Sequence, residues 1–137
     1  MVQGRIGPKG EASSTILVVD DEENVRDAVA RILARVGYAV ISASSGEEAL
    51  GLLRDTQNRI DLILTDVVMT GLNGVELAAL AQRENPGVGI LFMSGFTESE
   101  ALRHGVQTRS MHLLRKPFTM SELVQAVQES LRGSTKR

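Results

Sequence analysis

The sequence predicts an α/β fold: a doubly wound, five-stranded parallel sheet with strand order 2-1-3-4-5. Short apolar runs alternate five times with segments of helical periodicity. Strand–helix units of this length are joined by right-handed crossovers, which place helices on both faces of a parallel sheet. The first, third and fourth runs are continuously apolar, as expected of strands buried on both faces, whereas the weaker second and fifth runs suit the sheet edges.

The first two units are predicted as follows. TILVVD, residues 15–20, is a short β-branched strand, and the following helix ends at Gly37. Its apolar residues recur at helical spacing: Val25, Ala28, Val29, Ile32, Leu33 and Val36. YAVISAS is the second strand, and a helix from Gly46 to Arg54 follows it. We expect Ser44 and Glu47 to cap that helix reciprocally.

The third and fourth units follow the same alternation. IDLILTD, residues 60–66, predicts a buried strand, and a helix around Val75–Arg83 ends before Asn85-Pro86. GILFMS, residues 89–94, predicts the fourth strand, and a short helical stretch is expected near Ser99–His104.

The fifth unit closes the predicted fold. MHLLRK, residues 111–116, is its strand, and the last helix begins at Thr119, whose hydroxyl forms a capping box with Glu122. The buried face of that helix carries Leu123, Val127 and Leu131.

The 137 residues are enough for one domain with a substantial core. We predict the folded domain over residues 15–132. Residues 1–14, MVQGRIGPKGEASS, are Gly-rich and polar and predict a disordered linker or an expression remnant, and residues 133–137 predict a frayed tail.

Composition excludes several function classes. The 15 basic and 17 acidic residues give a formal charge of −2 with no basic block in the folded region, which argues against nucleic acid as a partner. The absence of cysteine excludes disulfides and thiolate metal sites. No apolar stretch approaches the about 20 residues of a membrane span, so we expect a soluble, cytoplasmic protein.

Polar residues follow four of the five predicted strands at their carboxyl ends, where ligands bind in sheets of this kind. They are Asp20 and Asp21, Asp66, Ser94 and Lys116. Three clustered carboxylates repel one another unless a cation joins them, and Mg²⁺ prefers oxygen ligands. A carboxylate can also attack phosphorus and form an aspartyl phosphate. Taken singly, these residues are more often a helix cap, a strand end, a turn or a solvated lysine than parts of a metal or phosphate site.

Five motifs in this order, VVDDE, LILTDVVM, NGVEL, MSGF and RKPFT, resemble the receiver domain of two-component signalling, which has a flavodoxin-like (βα)5 fold. The resemblance covers about residues 15–132. It implies that Asp66 is the phosphoacceptor and that Asp20, Asp21, Asp66 and the backbone carbonyl of Val68 bind Mg²⁺. It also implies a histidine kinase or a histidine phosphotransfer protein as the phosphodonor.

The same resemblance assigns the switch residues. Ser94 is similar to the hydroxyl that turns toward the phosphate, and Lys116 to the lysine that pairs with it. Pro117 is similar to a proline held after a cis peptide bond, which is energetically accessible only before proline.

The chain departs from the family pattern at three places. Thr70 stands where the family usually has proline, which leaves the loop less stiff. Leu113 stands in place of the switch aromatic, so a rotating ring cannot report movement of Ser94. Val68 and Phe96 replace polar side chains that help to align the hydrolytic water, which predicts a long-lived phosphoaspartate.

The function predicted from this pattern is a phosphorylation-dependent signalling switch that shifts the face of the last two strand–helix units. This face is also the candidate surface for homodimerisation. We expect the domain itself to be a phosphoacceptor rather than a turnover enzyme, although a longer parent chain could be a histidine kinase. As its context we expect either a receiver from a hybrid histidine kinase or a single-domain response regulator. The alternative is a degenerate receiver that acts as a phosphorylation-independent interaction module. A flavin-binding electron carrier shares the fold class, but only three Phe, one Tyr and no Trp are present to stack on a flavin.

Overall fold

The computed structural model describes residues 14–55, 57–95, 103 and 112–135. Within these residues the strands are β1 (Thr15–Val19), β2 (Ala39–Ala43), β3 (Leu62–Asp66), β4 (Gly89–Ser94) and β5 (His112–Arg115). They form one parallel sheet in the order β2-β1-β3-β4-β5, which confirms the predicted topology.

The helices of the described residues are α1 (Glu23–Val36), α2 (Gly46–Arg54), α3 (Gly74–Glu84) and α4 (Met120–Thr135). Helix α4 includes the first three residues of the segment that the sequence predicts as a tail. The helix predicted near Ser99–His104 and the linker predicted before Ser14 lie outside the described residues. Among the described helices, none combines the length and apolar character that a membrane crossing requires.

Alternating side chains of the central strands divide the core into two layers, because successive residues of a strand point to opposite faces. One layer packs Leu17, Ile63 and Phe92 against α2 and α3. The other packs residues such as Leu64 and Met93 against α1 and α4. All six residues of β4 are buried, whereas the edge strand β5 buries only Leu114. The continuous apolar runs therefore lie in the centre of the sheet, as the sequence predicts.

The prediction that Ser44 and Glu47 cap α2 is wrong by one residue. The cap is Ser45, whose hydroxyl accepts from the backbone N–H of Glu48 at 3.0 Å. The Glu48 carboxylate in turn accepts from the backbone N–H of Ser44 at 2.8 Å. Sequence spacing fits both registers, but the observed one makes the side-chain-free Gly46 the first helical residue, in close contact with the β3–α3 loop. Glu47 therefore takes no part in capping α2.

Two other boundaries form as predicted. The C-cap of α1 is Gly37, which has the left-handed backbone conformation (φ 118°) that favours glycine. Thr119 and Glu122 form the expected capping box, with bonds of 2.9 and 3.1 Å.

Gly74 is where helix α3 meets the end of β3. Its backbone N–H donates to the carbonyl of Val67 at 2.9 Å, and a Cβ at this position would overlap the backbone carbonyl oxygen of Asp66. No side chain fits without moving the main chain of Asp66. Gly74 therefore sets how closely α3 approaches the carboxyl edge of the sheet.

We expect Gly74→Ala to lower the free energy of unfolding by about 2 kcal/mol or more, because the added methyl group meets rigid backbone. Gly51→Ala is the matched control, since a Cβ at Gly51 in α2 has no neighbour within 4 Å. It should raise stability by about 0.5–1 kcal/mol through helix propensity. Urea unfolding measures both, and equal effects of the two substitutions would contradict the close approach of Gly74.

Candidate functional site

The residues that the sequence singles out meet at one edge of the sheet. Asp66 is the last residue of β3, and Asp20 follows β1 directly. Ser94 ends β4, and Lys116 follows β5 directly. Because all five strands are parallel, their carboxyl ends share this edge, and residues far apart in sequence become neighbours.

Three carboxylates form an acidic cluster at this edge. One carboxylate oxygen from each of Asp20, Asp21 and Asp66 lies within 4.8 Å of the others. Asp20 is fully buried, Asp21 is exposed, and the Asp66 side chain is 18% exposed. The cluster thus runs from the protein interior to solvent, and Asp66 lies between the two extremes.

Lys116 bridges the two more buried carboxylates. Its Nζ lies 3.1 Å from Oδ2 of Asp66 and 3.4 Å from Oδ2 of Asp20. Burial lowers the pKa of Lys116, but the charges and hydrogen bonds of Asp66 and Asp20 outweigh that effect and hold the pKa above its usual 10.5. The lysine is therefore a fixed positive charge at neutral pH.

The carboxyl of Asp66 is not fully compensated by this lysine. Desolvation is the largest influence on its pKa and raises it, and the nearby Asp20 raises it further. Lys116 and the backbone N–H of Val68, which lies 3.4 Å from Oδ1, act in the opposite direction. The net result is a pKa above the usual 3.8. Asp66 therefore carries negative charge that additional positive charge would stabilise.

Asp20 is held by contacts with its own loop and with α1. Its Oδ1 accepts from the backbone N–H of Glu22 at 2.9 Å, and its backbone carbonyl accepts from Nη1 of Arg26 at 2.9 Å. Sequence analysis did not single out Arg26. Its position on α1 reads as an ordinary surface arginine, and only the folded loop brings the Asp20 carbonyl within its reach.

The remaining predicted residues fall around the cluster. Ser94 is buried, and its carbonyl accepts from the backbone N–H of Lys116 at 2.7 Å. The Lys116-Pro117 peptide bond is cis, as the resemblance implies. Leu113 is half-buried and aligned with Phe92 of β4. Val68 is 52% exposed beside Asp66.

The loop between Asp66 and α3 is held by a contact with α2 that the sequence did not predict. The backbone N–H of Leu72 donates to Oε2 of Glu47 at 3.0 Å. Gly71 lies against the same carboxylate and has a left-handed backbone conformation, φ 78°. Sequence spacing assigned Glu47 to capping, so its contact with this loop carried no sequence signal.

The donor set of the cluster fits a hard divalent cation. Asp20, Asp21 and Asp66 offer carboxylate oxygens, which are the ligands that Mg²⁺ and Ca²⁺ prefer, and none of the described residues adds a softer ligand to the cluster. Three carboxylates exceed the charge of one lysine, so a cation would relieve the excess. The exposed Asp21 leaves the cluster open to water on one side.

Comparison with known proteins gives one consistent result. A family model described as response regulator receiver domain matches residues 16–128. The sensor kinase CckA of Brucella abortus is 34% identical over 119 residues, covering 87% of this chain and 13% of the relative. The uncharacterized transcriptional regulatory protein YrkP of Bacillus subtilis is 33% identical over 120 residues, which cover 88% of this chain and 50% of that relative. The chain thus spans half or less of these relatives.

Solved structures agree with the observed topology. The crystal structure of a response regulator receiver protein from Sinorhizobium medicae has a TM-score of 0.79 at 30% identity, covering 89% of this chain and 97% of that one. The chemotaxis protein CheY4 of Vibrio cholerae has a TM-score of 0.77 at 28% identity, and the match covers 86% of this chain and 98% of CheY4.

The raised pKa of Asp66 predicts a pH dependence of stability in the metal-free protein. A folded-state pKa above 3.8 means that the folded chain holds this proton more tightly than the unfolded chain. The resulting stability is fully present below pH 3.8 and is lost as the pH rises through the folded-state value. Relative to Asp66→Asn, the wild type should therefore lose free energy of unfolding as the pH rises toward 7.

Urea unfolding with a chelator present, at a series of pH values, measures this difference. Asp27→Asn, at an exposed position on α1, is the control. A wild type that gains stability relative to Asp66→Asn as the pH rises would contradict a raised pKa of Asp66 in the folded protein.

Proposed function

This chain belongs to the response regulator receiver domain family of two-component signalling, and we propose that it is a phosphorylation-dependent switch whose phosphoacceptor is Asp66. The phosphodonor is a phosphohistidine of a histidine kinase or of a phosphotransfer protein. The observation that supports this most is the position of Lys116, 3.1 Å from Asp66 and 3.4 Å from Asp20 within a cluster of three carboxylates.

The chemistry assigned to Asp66 is nucleophilic attack on phosphorus. A carboxylate oxygen of Asp66 forms the new P–O bond while the P–N bond to the donor histidine breaks, and the imidazole leaves with a proton from solvent. The transferred group spreads negative charge over its outer oxygens. Lys116 is placed to donate to one of them, and the hydroxyl of Ser94 is assigned to another.

We assign Mg²⁺ binding to Asp20, Asp21, Asp66 and the backbone carbonyl of Val68. Bound there, Mg²⁺ supplies positive charge that offsets both the carboxylates and the phosphoryl oxygens. The buried Asp20, fixed by Glu22 and Arg26, keeps one ligand in place before any cation arrives. Asp21 is exposed, so its carboxylate remains in contact with solvent before a cation binds.

Phosphorylation changes what Lys116 contacts. A phosphoryl group on Asp66 offers stronger acceptors than the bare carboxylate, so the lysine and Ser94 gain charge-assisted hydrogen bonds. The backbone of Lys116 is bonded to that of Ser94, which couples the ends of β4 and β5. These bonds favour a state in which the last two units present an altered face, and Leu113 on β5 takes part through packing rather than through ring rotation.

The relatives suggest the context of the switch. CckA is a sensor kinase and YrkP a transcriptional regulatory protein, and the matched region is a minor part of the first and half of the second. We propose that this chain likewise serves a histidine kinase pathway, either as the receiver of a hybrid kinase or as a response regulator. Homodimerisation through the last two units is part of the same proposal.

Intact mass after incubation with a small-molecule phosphodonor and Mg²⁺ tests the proposed function. The wild type and Asp27→Asn should gain one phosphoryl group. Asp66→Asn and a chelated sample should gain none. Lys116→Met should slow the reaction by about a hundredfold, as expected for removing one preorganised positive charge from the transition state.

A wild type that gains no phosphoryl group, or an adduct that persists in Asp66→Asn, would contradict the assignment of Asp66. The first result, with Mg²⁺ binding also absent, would favour the phosphorylation-independent interaction module.

The exposed, apolar side chain of Val68 predicts slow loss of the phosphoryl group. It has no polar atom with which to orient a water molecule toward the phosphoaspartate. Val68→Asn, which supplies an amide, should shorten the half-life by about threefold or more. The half-life is measured by intact mass after removal of the phosphodonor, and Val36→Asn, at another exposed valine, is the control. An unchanged half-life in Val68→Asn would contradict this role of Val68.

A further inference from the structure

We infer that Glu47 is a positioning residue for the metal site: from helix α2, its carboxylate holds the loop after Asp66 in one shape, and this loop carries Val68, whose carbonyl is assigned to Mg²⁺ under the proposed function. This inference rests on the proposed function, because the Mg²⁺ site is part of that proposal. It adds a residue that lies outside the cluster and 19 positions before Asp66 in the sequence.

The contact itself is direct. Oε2 of Glu47 accepts from the backbone N–H of Leu72 at 3.0 Å, a hydrogen bond that spans 25 residues of sequence. A Cβ at Gly71 would lie 2.9 Å from the same oxygen, so the carboxylate lies close against the glycine backbone. Immediately before Glu47, Gly46 packs against Leu72 so closely that a Cβ there would lie 2.7 Å from its carbonyl oxygen. The first turn of α2 therefore covers the loop at two successive positions.

The loop has few other supports. Its end is pinned at Gly74 and by the capping box of Asn73 and Glu76, and Met69 is buried. Between these points, none of the described residues accepts a hydrogen bond from the backbone N–H of Met69, Thr70 or Gly71. The bond from Glu47 is thus the one hydrogen bond that ties the exposed turn of this loop to the rest of the described chain.

The turn residues do little to fix the turn by themselves. Thr70 has no ring to fix its φ, and Gly71 has more backbone freedom than any other residue type. Fixing flexible backbone costs conformational entropy, which a contact must offset. A proline would restrict the turn through its own ring. Here the restriction comes from a side chain of the neighbouring helix.

A purely electrostatic role for Glu47 is the competing explanation, because any carboxylate near the cluster attracts a cation. The two roles differ in what they require of the side chain. A positioning role requires an acceptor atom at this place, which glutamine supplies. An electrostatic role requires the charge, which glutamine lacks. Glu48 is the matched control, since it carries the same charge in the same turn of α2 but bonds to Ser44 instead of the loop.

The experiment compares wild type, Glu47→Ala, Glu47→Gln and Glu48→Gln by two readouts that do not involve phosphorylation. Isothermal titration gives the dissociation constant for Mg²⁺, and amide hydrogen exchange by NMR reports on Leu72 in the metal-free protein. In Glu47→Ala we expect exchange at Leu72 to accelerate about five- to tenfold and the Mg²⁺ dissociation constant to rise about three- to tenfold. Glu47→Gln and Glu48→Gln should stay near wild type in both, and thermal unfolding of each variant confirms that it is folded.

Three results would overturn the inference: an unchanged Mg²⁺ dissociation constant in Glu47→Ala, equal losses in Glu47→Ala and Glu47→Gln, or a loss in Glu48→Gln as large as that in Glu47→Ala. Failure of the proposed function looks different. In that case the wild type itself binds no Mg²⁺ or gains no phosphoryl group.

Discussion

The ion pairs of Lys116 with Asp20 and Asp66 hold together a site that like-charge repulsion would otherwise open. Asp20 is fully buried and Asp66 largely so, and neither is free to turn into solvent. One lysine cannot neutralise three carboxylates, and the pKa of Asp66 is raised first by its burial and further by the nearby Asp20. The site therefore has an excess of negative charge, which a bound divalent cation would reduce. Under the proposed function, Asp66 would owe its role to this incomplete neutralisation and to its burial rather than to any special property of its side chain.

Packing of the sheet holds these charged residues in place. Strands β1, β3 and β4 are buried on both faces, and their packing fixes the positions at which each strand ends. Helices α2 and α3 then shape the surroundings of the cluster. Gly74 brings α3 against the backbone of Asp66, and Glu47 of α2 contacts the loop between β3 and α3. Layers that bury apolar residues thus also determine the geometry of polar ones.

The sequence was sufficient for the strand order, the edge strands and the grouping of Asp20, Asp21, Asp66 and Lys116. These follow from periodicity and from one rule, that parallel strands end at a common edge. It was insufficient where two local solutions fit equally well. The caps Ser44 and Ser45 both satisfy the spacing rule, and only packing of Gly46 against Leu72 distinguishes them. Contacts across loops, such as those of Arg26 and Glu47, depend on tertiary placement and leave no periodic pattern to read.

The bond between Lys116 and Asp20 spans 96 residues, which has a consequence for synthesis on the ribosome. Translation adds about 5–20 residues per second, so the acidic pair leaves the peptidyl-transferase centre about 5–20 s before the lysine that compensates it. During that interval a nascent chain has its carboxylates but not their partner, and β5 is not yet available to close the sheet edge. A prematurely released chain that ends before residue 116 therefore carries the acidic cluster without the lysine. In such a fragment Asp20 and Asp66 lack the ion pairs that hold them in the folded protein.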